Sequence, residues 1–291
     1  MEFRTYWDRD ARTVCDFLVA LNRDDRTHIN WNWARFEWMI EHPDFDRDAV
    51  DSIGLWFSGE TLVGAAIYDM YFGEAFCAAL PGYEALYPEI LAYACRELKD
   101  GDGLGIAICD GSLREIEAAK AAGFSPAEQR ETVMMRRLDG ALPAELPAGL
   151  RLAEFDQEKD VDALQWLIWQ GFDHGDDRAE YEGAKQTLSR VRRHFNRHLS
   201  LAAVNEAGEG VSYCCLWYRA DTDYAYVEPV CTIPAWRGRG AAKALLFVAM
   251  NRAKGLGAKR AYVISDMDFY KKLGFEIDRR YSFFWKKETD A

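Results

Sequence analysis

The order of predicted elements in this chain of 291 residues repeats about a proline- and glycine-containing seam at residues 138–152. Each side starts with a strand-like segment, two helical patterns and a meander of strands. Each side then ends with a long helix, a strand, a short helix before Gly-Phe, and a last strand. The repeat spans nearly half the chain, which is too long for a solenoid. The sequence therefore predicts one α+β domain present twice, at residues 1–139 and 149–291, with a linker at 140–148.

The charge and cysteine content limit the classes of partner and compartment. The chain has 36 Lys and Arg against 48 Asp and Glu, a net charge of −12. Such an acidic protein is a poor ligand for nucleic acid or an anionic membrane. Seven scattered cysteines without CxxC spacing, and an N-terminus without an apolar signal core, predict reduced thiols and a cytoplasmic location. We expect no nucleic-acid or membrane partner, and a monomer or homodimer.

One glycine-rich segment, "PAWRGRGAAKALL", joins a strand to a helix that is predicted to begin near Ala241. Backbone N–H groups at a helix start lack partners within the helix, and small residues let a phosphate approach them. Arg237 and Arg239 could add charge-assisted hydrogen bonds. The segment lacks the Lys-Ser/Thr pair of a Walker loop and the third glycine of a dinucleotide-binding loop. A plain helix cap with two solvated arginines is the alternative.

The string "VCTIPAWRGRGAAKALL", followed by "VISDMDFYKKLGF", resembles the GNAT acyltransferase superfamily. The superfamily signature Arg/Gln-x-x-Gly-x-Gly/Ala matches residues 237–242, and a tyrosine before x-x-x-Gly-Phe matches Tyr270. The resemblance implies two tandem domains, each with a mixed, mostly antiparallel sheet flanked by helices.

The resemblance also implies a cofactor site and a catalytic acid. Acetyl-CoA would lie where the fourth and fifth strands splay apart, and the strand edge Val230, Cys231 and Thr232 would pair with its pantetheine arm. Tyr270 would protonate the departing thiolate, which suits a phenol of pKa about 10. The pyrophosphate would be held by Arg237 and by the backbone of Gly238, Arg239, Gly240, Ala241, Ala242 and Lys243.

Two further side chains near the expected thioester carry alternative interpretations. Glu228 is a candidate base acting through a water, or a solvated strand residue. Cys231 could suggest an acyl-cysteine route, but the family transfers its acyl group directly. A small apolar strand residue is the preferred interpretation of Cys231.

The first half resembles a degenerate copy of this domain. Its equivalent loop, "AALPGYEALYPEILAY", has no arginine–glycine run, and Tyr83, Tyr87 and Pro88 stand where a phosphate needs clearance. Ala119 takes the place of the tyrosine. We expect this half to keep the fold without the phosphate site or the acid.

Two segments, one acidic and one aromatic, are candidates for contacts with the acyl acceptor. Asp173, His174 and Asp176, with Asp177, would attract a cationic amine, or they form a solvated acidic loop. Trp31, Trp33 and Trp38 line a ligand site or belong to the core. His194 and His198 lie four residues apart without a third ligand, so a solvated helix face is expected and no metal is predicted.

These observations predict an acyl-CoA-dependent N-acyltransferase that moves an acetyl group to the amine of a small molecule by direct attack on the thioester. The alternative is a non-catalytic acyl-CoA-binding or regulatory module. Such a module would not need Tyr270, so the retained tyrosine favours the enzyme.

Overall fold

The computed structural model of the chain describes residues 1–42, 45–154, 160–184 and 196–288, which divide into two compact units. The first unit comprises Met1–Met134, Ile264–Asp266 and the chain from Ile277. The second unit comprises Met135–Val263 and Met267–Glu276. The predicted helix in "AKQTLSRVRRHF" falls almost entirely at residues 185–195, outside the described residues.

The first half of the chain follows the predicted order of strands and helices. Helix α1 buries Val14, Phe17, Leu18 and Leu21, which share one face at helical spacing. Asn32 caps the next helix, because its side chain accepts hydrogen bonds from two backbone N–H groups of the first turn. The elements are β1 Glu2–Thr5, α1 Ala11–Leu21, α2 Trp33–Ile40, β2 Gly54–Ser58, β3 Thr61–Asp69, β4 Tyr71–Ala79, α3 Tyr87–Glu97, β5 Gly103–Cys109, α4 Leu113–Ala121 and β6 Ser125–Arg137.

The second half repeats this order. Segment 140–148 forms neither helix nor strand, and Leu142 is held to the long helix of this half by two hydrogen bonds of 2.9 Å with the Asn251 side chain. The elements are β7 Arg151–Glu154, α5 Val161–Gly171, α6 Arg178–Ala184, β8 Ser200–Val204, β9 Gly210–Tyr218, β10 Tyr224–Thr232, α7 Ala241–Leu256, β11 Arg260–Ile264, α8 Asp268–Lys272 and β12 Glu276–Lys287.

The two units share one strand pattern, as predicted. In the first unit β1, β2, β3 and β4 pair antiparallel in sequence, and β4 pairs parallel with β5. In the second unit β7, β8, β9 and β10 pair antiparallel, and β10 pairs parallel with β11. Helices pack on these strands, α1 and α3 on β3 and α5 and α7 on β9. The α+β class with mixed, mostly antiparallel sheets is therefore confirmed.

The last strand of the chain differs from the sequence-based expectation that it closes the second half. Strand β12 pairs antiparallel with β5 of the first unit, from Tyr281 opposite Cys109 to Lys287 opposite Gly103. The β5 glycines make room for it, because a methyl group on Gly105 would lie 2.6 Å from the Trp285 ring. The compact units consequently differ from the predicted limits of 1–139 and 149–291 at the C-terminal strand.

The tryptophan-rich segment of the first half belongs to the core. Trp31 and Trp33 are buried, and Trp31 stacks on Phe76 with ring centroids 5.1 Å apart. Trp38 is partly exposed and lies against His42. The core interpretation is correct for the two buried tryptophans. Within the described ranges, no helix is long and apolar enough to cross a bilayer.

Candidate active site

The sheet of the second unit opens where β10 and β11 part. Their parallel ladder comprises three residue pairs, of which the last joins Tyr226 to Tyr262. Strand β10 continues to Thr232 while paired with β9, and a bulge falls between Val227 and Val230. One edge of β10 is therefore available to a ligand over the second half of the strand.

The backbone of β10 alternates between its neighbour β9 and this open edge. The Ile233 N–H donates to Val211 O at 3.0 Å, and the Ser212 hydroxyl donates to Cys231 O at 2.9 Å. Residues 231 and 233 thus face β9, so the N–H and C=O groups of Val230 and Thr232 face the opening. Of the three predicted pantetheine contacts, Cys231 offers its backbone to β9.

Cys231 behaves as a packing residue. A methyl group on Gly171 of α5 would lie 2.6 Å from the Cys231 sulfur, so the strand and helix approach closely there. Cys231 is buried in a cluster that includes Leu164 and Tyr213. Burial raises the pKa of Cys231 to about 12, which keeps the thiol protonated and weakly nucleophilic. These features favour the apolar interpretation over an acyl-cysteine route.

The glycine-rich loop turns from β10 into α7 through left-handed backbone at two positions. Gly238 has φ 74° and Gly240, the residue before the helix, has φ 90°. A methyl group on Gly238 would meet no heavy atom within 4 Å. In the described part of the chain, no hydrogen bond is donated by the backbone N–H groups of residues 238–243. Six unsatisfied donors at the start of a sixteen-residue helix form an anion-binding surface.

The two arginines of the loop have different roles. The Arg237 guanidinium donates to Thr232 O at 2.9 Å and Gly171 O at 3.0 Å, and pairs with Asp173 at 2.9 Å. Arg237 therefore ties the end of α5 to the end of β10. Arg239 is exposed and lies over the Trp236 ring, 4.7 Å from its centroid, and its side chain has no carboxylate partner among the described residues. Lys243 is also exposed.

Tyr270 of α8 is the candidate acid. Its side chain is 8% exposed, and no described residue forms a hydrogen bond with its hydroxyl. Burial, followed by the negative charge of Glu228, raises the pKa of Tyr270 well above its usual value. The phenol therefore holds its proton at neutral pH. Gly274, with φ 78°, closes the turn after it, and a side chain there would collide with Arg136.

Glu228 lies in the irregular part of β10, where its backbone carbonyl accepts a 2.8 Å hydrogen bond from the Trp217 indole. The residue is partly exposed. Its negative charge contributes, after burial, to the raised pKa of Tyr270. The predicted acid and base therefore interact electrostatically within one unit.

The predicted acceptor residues do not form one free acidic cluster. Asp173 is paired with Arg237, and His174 lies 4.7 Å from the Trp169 ring. Asp177 caps α6, because its side chain accepts from the N–H of Ala179 at 2.8 Å. Asp176 is exposed and has no partner among the described residues.

The predicted helix face that carries His194 and His198 is only partly described, because His194 lies outside the described residues. His198 lies 3.3 Å from a Glu154 carboxylate oxygen. Among the residues that the structure describes, no group of three His, Cys, Asp or Glu side chains could hold a metal ion.

The first unit repeats the opening with a different loop. Its parallel ladder between β4 and β5 has two residue pairs, Glu74 with Gly105 and Ala75 with Ile106. The loop after β4 uses its own carboxylate, because the Gly82 N–H donates to Glu84 at 3.0 Å. The Glu84 carboxylate therefore takes the Gly82 N–H, which could otherwise bind a phosphate, and its negative charge repels a phosphate. Ala119 is buried in α4, the helix that corresponds to α8.

Two units of this pattern, one with an anion-binding loop beside a split pair of parallel strands, define a tandem acyltransferase-type fold. Residues 161–275 match the acetyltransferase (GNAT) family. The second half of the chain is thus similar to the GNAT family over these residues, and the whole chain has the fold of a tandem GNAT protein.

Solved structures support the tandem fold over the whole length. A tandem GNAT protein from the clavulanic acid biosynthesis pathway superposes with a TM-score of 0.63 at 16% identity, covering 100% of this chain and 99% of that chain. A GCN5-related N-acetyltransferase from Sphaerobacter thermophilus superposes with a TM-score of 0.59 at 16% identity, covering 98% of this chain and 95% of that chain. The Saccharomyces cerevisiae N-myristoyltransferase with bound myristoyl-CoA superposes with a TM-score of 0.53 at 15% identity, covering 97% of this chain and 77% of that chain. No curated protein matches the chain in sequence.

Sequence reasoning missed two functional details of these loops. The pairing of Arg237 with Asp173 joins two segments 64 residues apart, and no local pattern announces it. The Gly82–Glu84 hydrogen bond is local, and the spacing of a glycine two residues before a glutamate in "GYE" was an available signal.

Proposed function

We propose that this protein is an N-acetyltransferase that moves the acetyl group of acetyl-CoA directly to the amine of a small molecule. The observation that carries the proposal is the combination in one unit of the split strands, the six loop N–H groups and the Tyr270 hydroxyl, none of which has a hydrogen-bond partner among the described residues. The family supplies acetyl transfer as the class of reaction.

The open loop fits the pyrophosphate of acetyl-CoA. The N–H groups of residues 238–243 point from a helix start, and the absence of side chains at Gly238 and Gly240 lets phosphate oxygens approach them. The exposed guanidinium of Arg239 supplies positive charge to the same loop. The open edge of β10 offers Val230 for pairing with the amide groups of the pantetheine arm.

The reaction requires one bond to form, one to break and two protons to move. The amine nitrogen bonds to the acetyl carbon, the carbon–sulfur bond breaks, and Tyr270 donates its proton to the sulfur. The proton that the amine loses goes through water to Glu228, and solvent restores the proton of Tyr270. The raised pKa keeps the phenol protonated at neutral pH, so the proton is present when the thiolate forms, although the phenol is a weaker acid than a free tyrosine.

An amine acceptor agrees with the charge of the chain. The net charge of −12 and the exposed Asp176 attract a cation from solution. The ammonium ion gives one proton to solvent before attack, and the neutral amine then loses the second, through water, to Glu228. The Asp173 carboxylate contributes less to this attraction, because Arg237 compensates its charge.

Thiol release from acetyl-CoA in the presence of a panel of small amines tests the proposal. We expect release that depends on one class of amine and produces the N-acetylated compound. Binding of acetyl-CoA without transfer to any amine would instead support the non-catalytic acyl-CoA-binding module and overturn the enzyme.

Substitutions of the two loop arginines should distinguish a role in acetyl-CoA binding from a role in the stability of the fold. Replacing Arg239 with leucine is expected to weaken acetyl-CoA binding about tenfold, an effect that diminishes in high salt, with little change in unfolding free energy. Replacing Arg237 with leucine should lower the free energy of unfolding by about 1–2 kcal/mol, since two hydrogen bonds to carbonyl groups are lost. Calorimetric titration and urea unfolding of both variants provide the comparison. Equal effects of the two variants on binding would contradict the assignment.

A further inference from the structure

A cavity of about 540 Å³ lies within the first unit, where β4 and β5 part. Ala79 at the end of β4 and Gly111 after the end of β5 both line it, together with the start of α4. Clefts at the carboxyl ends of adjacent parallel strands are favoured ligand sites, and this volume is typical of small-molecule pockets.

The charges around the cavity disfavour a phosphate. Three carboxylates, those of Asp25, Glu84 and Glu115, line it against one guanidinium, that of Arg114. Glu84 already accepts the Gly82 N–H, which removes a donor from the loop. The Glu115 carboxylate lies 3.1 Å from Nε2 of His28. Asp25 has no hydrogen-bond or ion-pair partner in the described part of the chain.

A largely buried tyrosine on the cavity wall provides a second, independent indication of a ligand. Tyr87 is 6% exposed and lines the cavity, yet no described residue forms a hydrogen bond with its hydroxyl. A polar group on a largely buried side chain favours a hydrogen-bond partner, and a ligand group in the cavity would supply one to the Tyr87 hydroxyl. Burial raises the pKa of Tyr87 well above its usual value, so the hydroxyl stays neutral. The remaining wall is largely aliphatic, with Leu21, Pro81 and Ala118.

We propose that the first unit binds a small organic ammonium compound in this cavity. The ammonium group would lie beside Asp25 and Glu115, the apolar body against Leu21 and Ala118, and a polar atom at the Tyr87 hydroxyl. The first unit is then a ligand-binding domain with its own specificity. This inference depends on residues of the first unit alone, and does not require acetyl transfer in the second.

Methyl NMR of the full chain tests the proposal with 2-phenylethylammonium as the probe. We expect saturable chemical-shift changes of the Leu21 and Leu113 methyl groups, both of which line the cavity. The neutral analogue 2-phenylethanol should bind about tenfold more weakly, and 3-phenylpropionate should give no shift at these positions. Because the same leucines report in every titration, amine bound in the second unit is distinguished from amine bound here.

Variants of the cavity provide matched controls. Asp25→Asn and Tyr87→Phe should each weaken the probe at least about threefold, whereas Asp24→Asn, one residue away and outside the lining, should leave its affinity unchanged. Gly240→Trp in the second unit should also leave it unchanged. The proposal is overturned if the Leu21 and Leu113 methyls do not shift, if the anion binds as well as the amine, or if both cavity variants bind the probe normally.

Discussion

Replacing Tyr270 with phenylalanine is expected to lower kcat for acetyl transfer by about 10²–10³-fold, which is the usual contribution of a general acid. The affinity for acetyl-CoA should remain nearly unchanged. The variant should also fold normally, because no described residue depends on the hydroxyl and the ring contact with Phe275, at 5.5 Å between centroids, is retained. Steady-state kinetics with a saturating amine, together with calorimetric titration of acetyl-CoA, separate the two effects.

Tyr218→Phe is the matched control for this prediction. Tyr218 is a buried tyrosine of the same unit, but its hydroxyl donates to the Leu256 carbonyl at 3.0 Å. Its loss should cost about 1 kcal/mol of unfolding free energy and leave kcat unchanged. A Tyr270→Phe variant with the kcat of the parent protein would remove Tyr270 from the mechanism.

The assignment of Tyr270 as the acid also predicts how kcat depends on pH. Because burial and Glu228 raise the pKa of Tyr270, the phenol stays protonated through the range where a free tyrosine titrates. Its deprotonation therefore cannot lower kcat below about pH 10. A fall in kcat between about pH 8 and pH 9 that disappears in Tyr270→Phe would contradict the raised pKa.

Replacing Phe284 with alanine should destabilise the first unit by about 3–5 kcal/mol, the usual cost of removing a buried phenylalanine side chain. Phe284 is 4% exposed and lies on β12 opposite Ile106 of β5. Hydrogen exchange should show loss of protection in β5, although the substitution lies 178 residues further along the chain.

Ile277→Ala in the same strand is the control, because Ile277 is 41% exposed. It should change the unfolding free energy by less than about 1 kcal/mol. If Phe284→Ala left the exchange of β5 amides unchanged, β12 would not be an integral strand of the first unit.

The sequence was informative where function depends on local backbone. Gly238 and Gly240 are required by left-handed conformations within one loop, and Tyr270 is placed by a short helix and the Gly274 turn. Read with the resemblance to the GNAT superfamily, their spacing predicted the anion-binding loop and the candidate acid. The fold class followed in the same way from the repeated order of strands and helices.

The pairing of strands that lie far apart in the sequence was harder to predict. Both "RETVMMRRL" and "RRYSFFWKK" have strand patterns, and nothing local to either specifies its neighbour. The preference of β12 for β5 depends on Gly105, which accommodates Trp285 from the far end of the chain. The role of Arg237 was obscured for the same reason, since the carbonyl and carboxylate groups that it binds at Gly171 and Asp173 come from another element.

Calorimetric titration of acetyl-CoA into the parent protein, Gly240→Trp and Gly255→Trp tests the central claim most directly. Gly255 is an exposed glycine at the other end of α7, and a methyl group there would meet no heavy atom within 4 Å. The parent and Gly255→Trp should bind acetyl-CoA with a Kd on the order of 1–100 μM, and Gly240→Trp should show no binding. Failure of the parent protein to bind acetyl-CoA, or equal binding by Gly240→Trp, would contradict a cofactor site at residues 238–243.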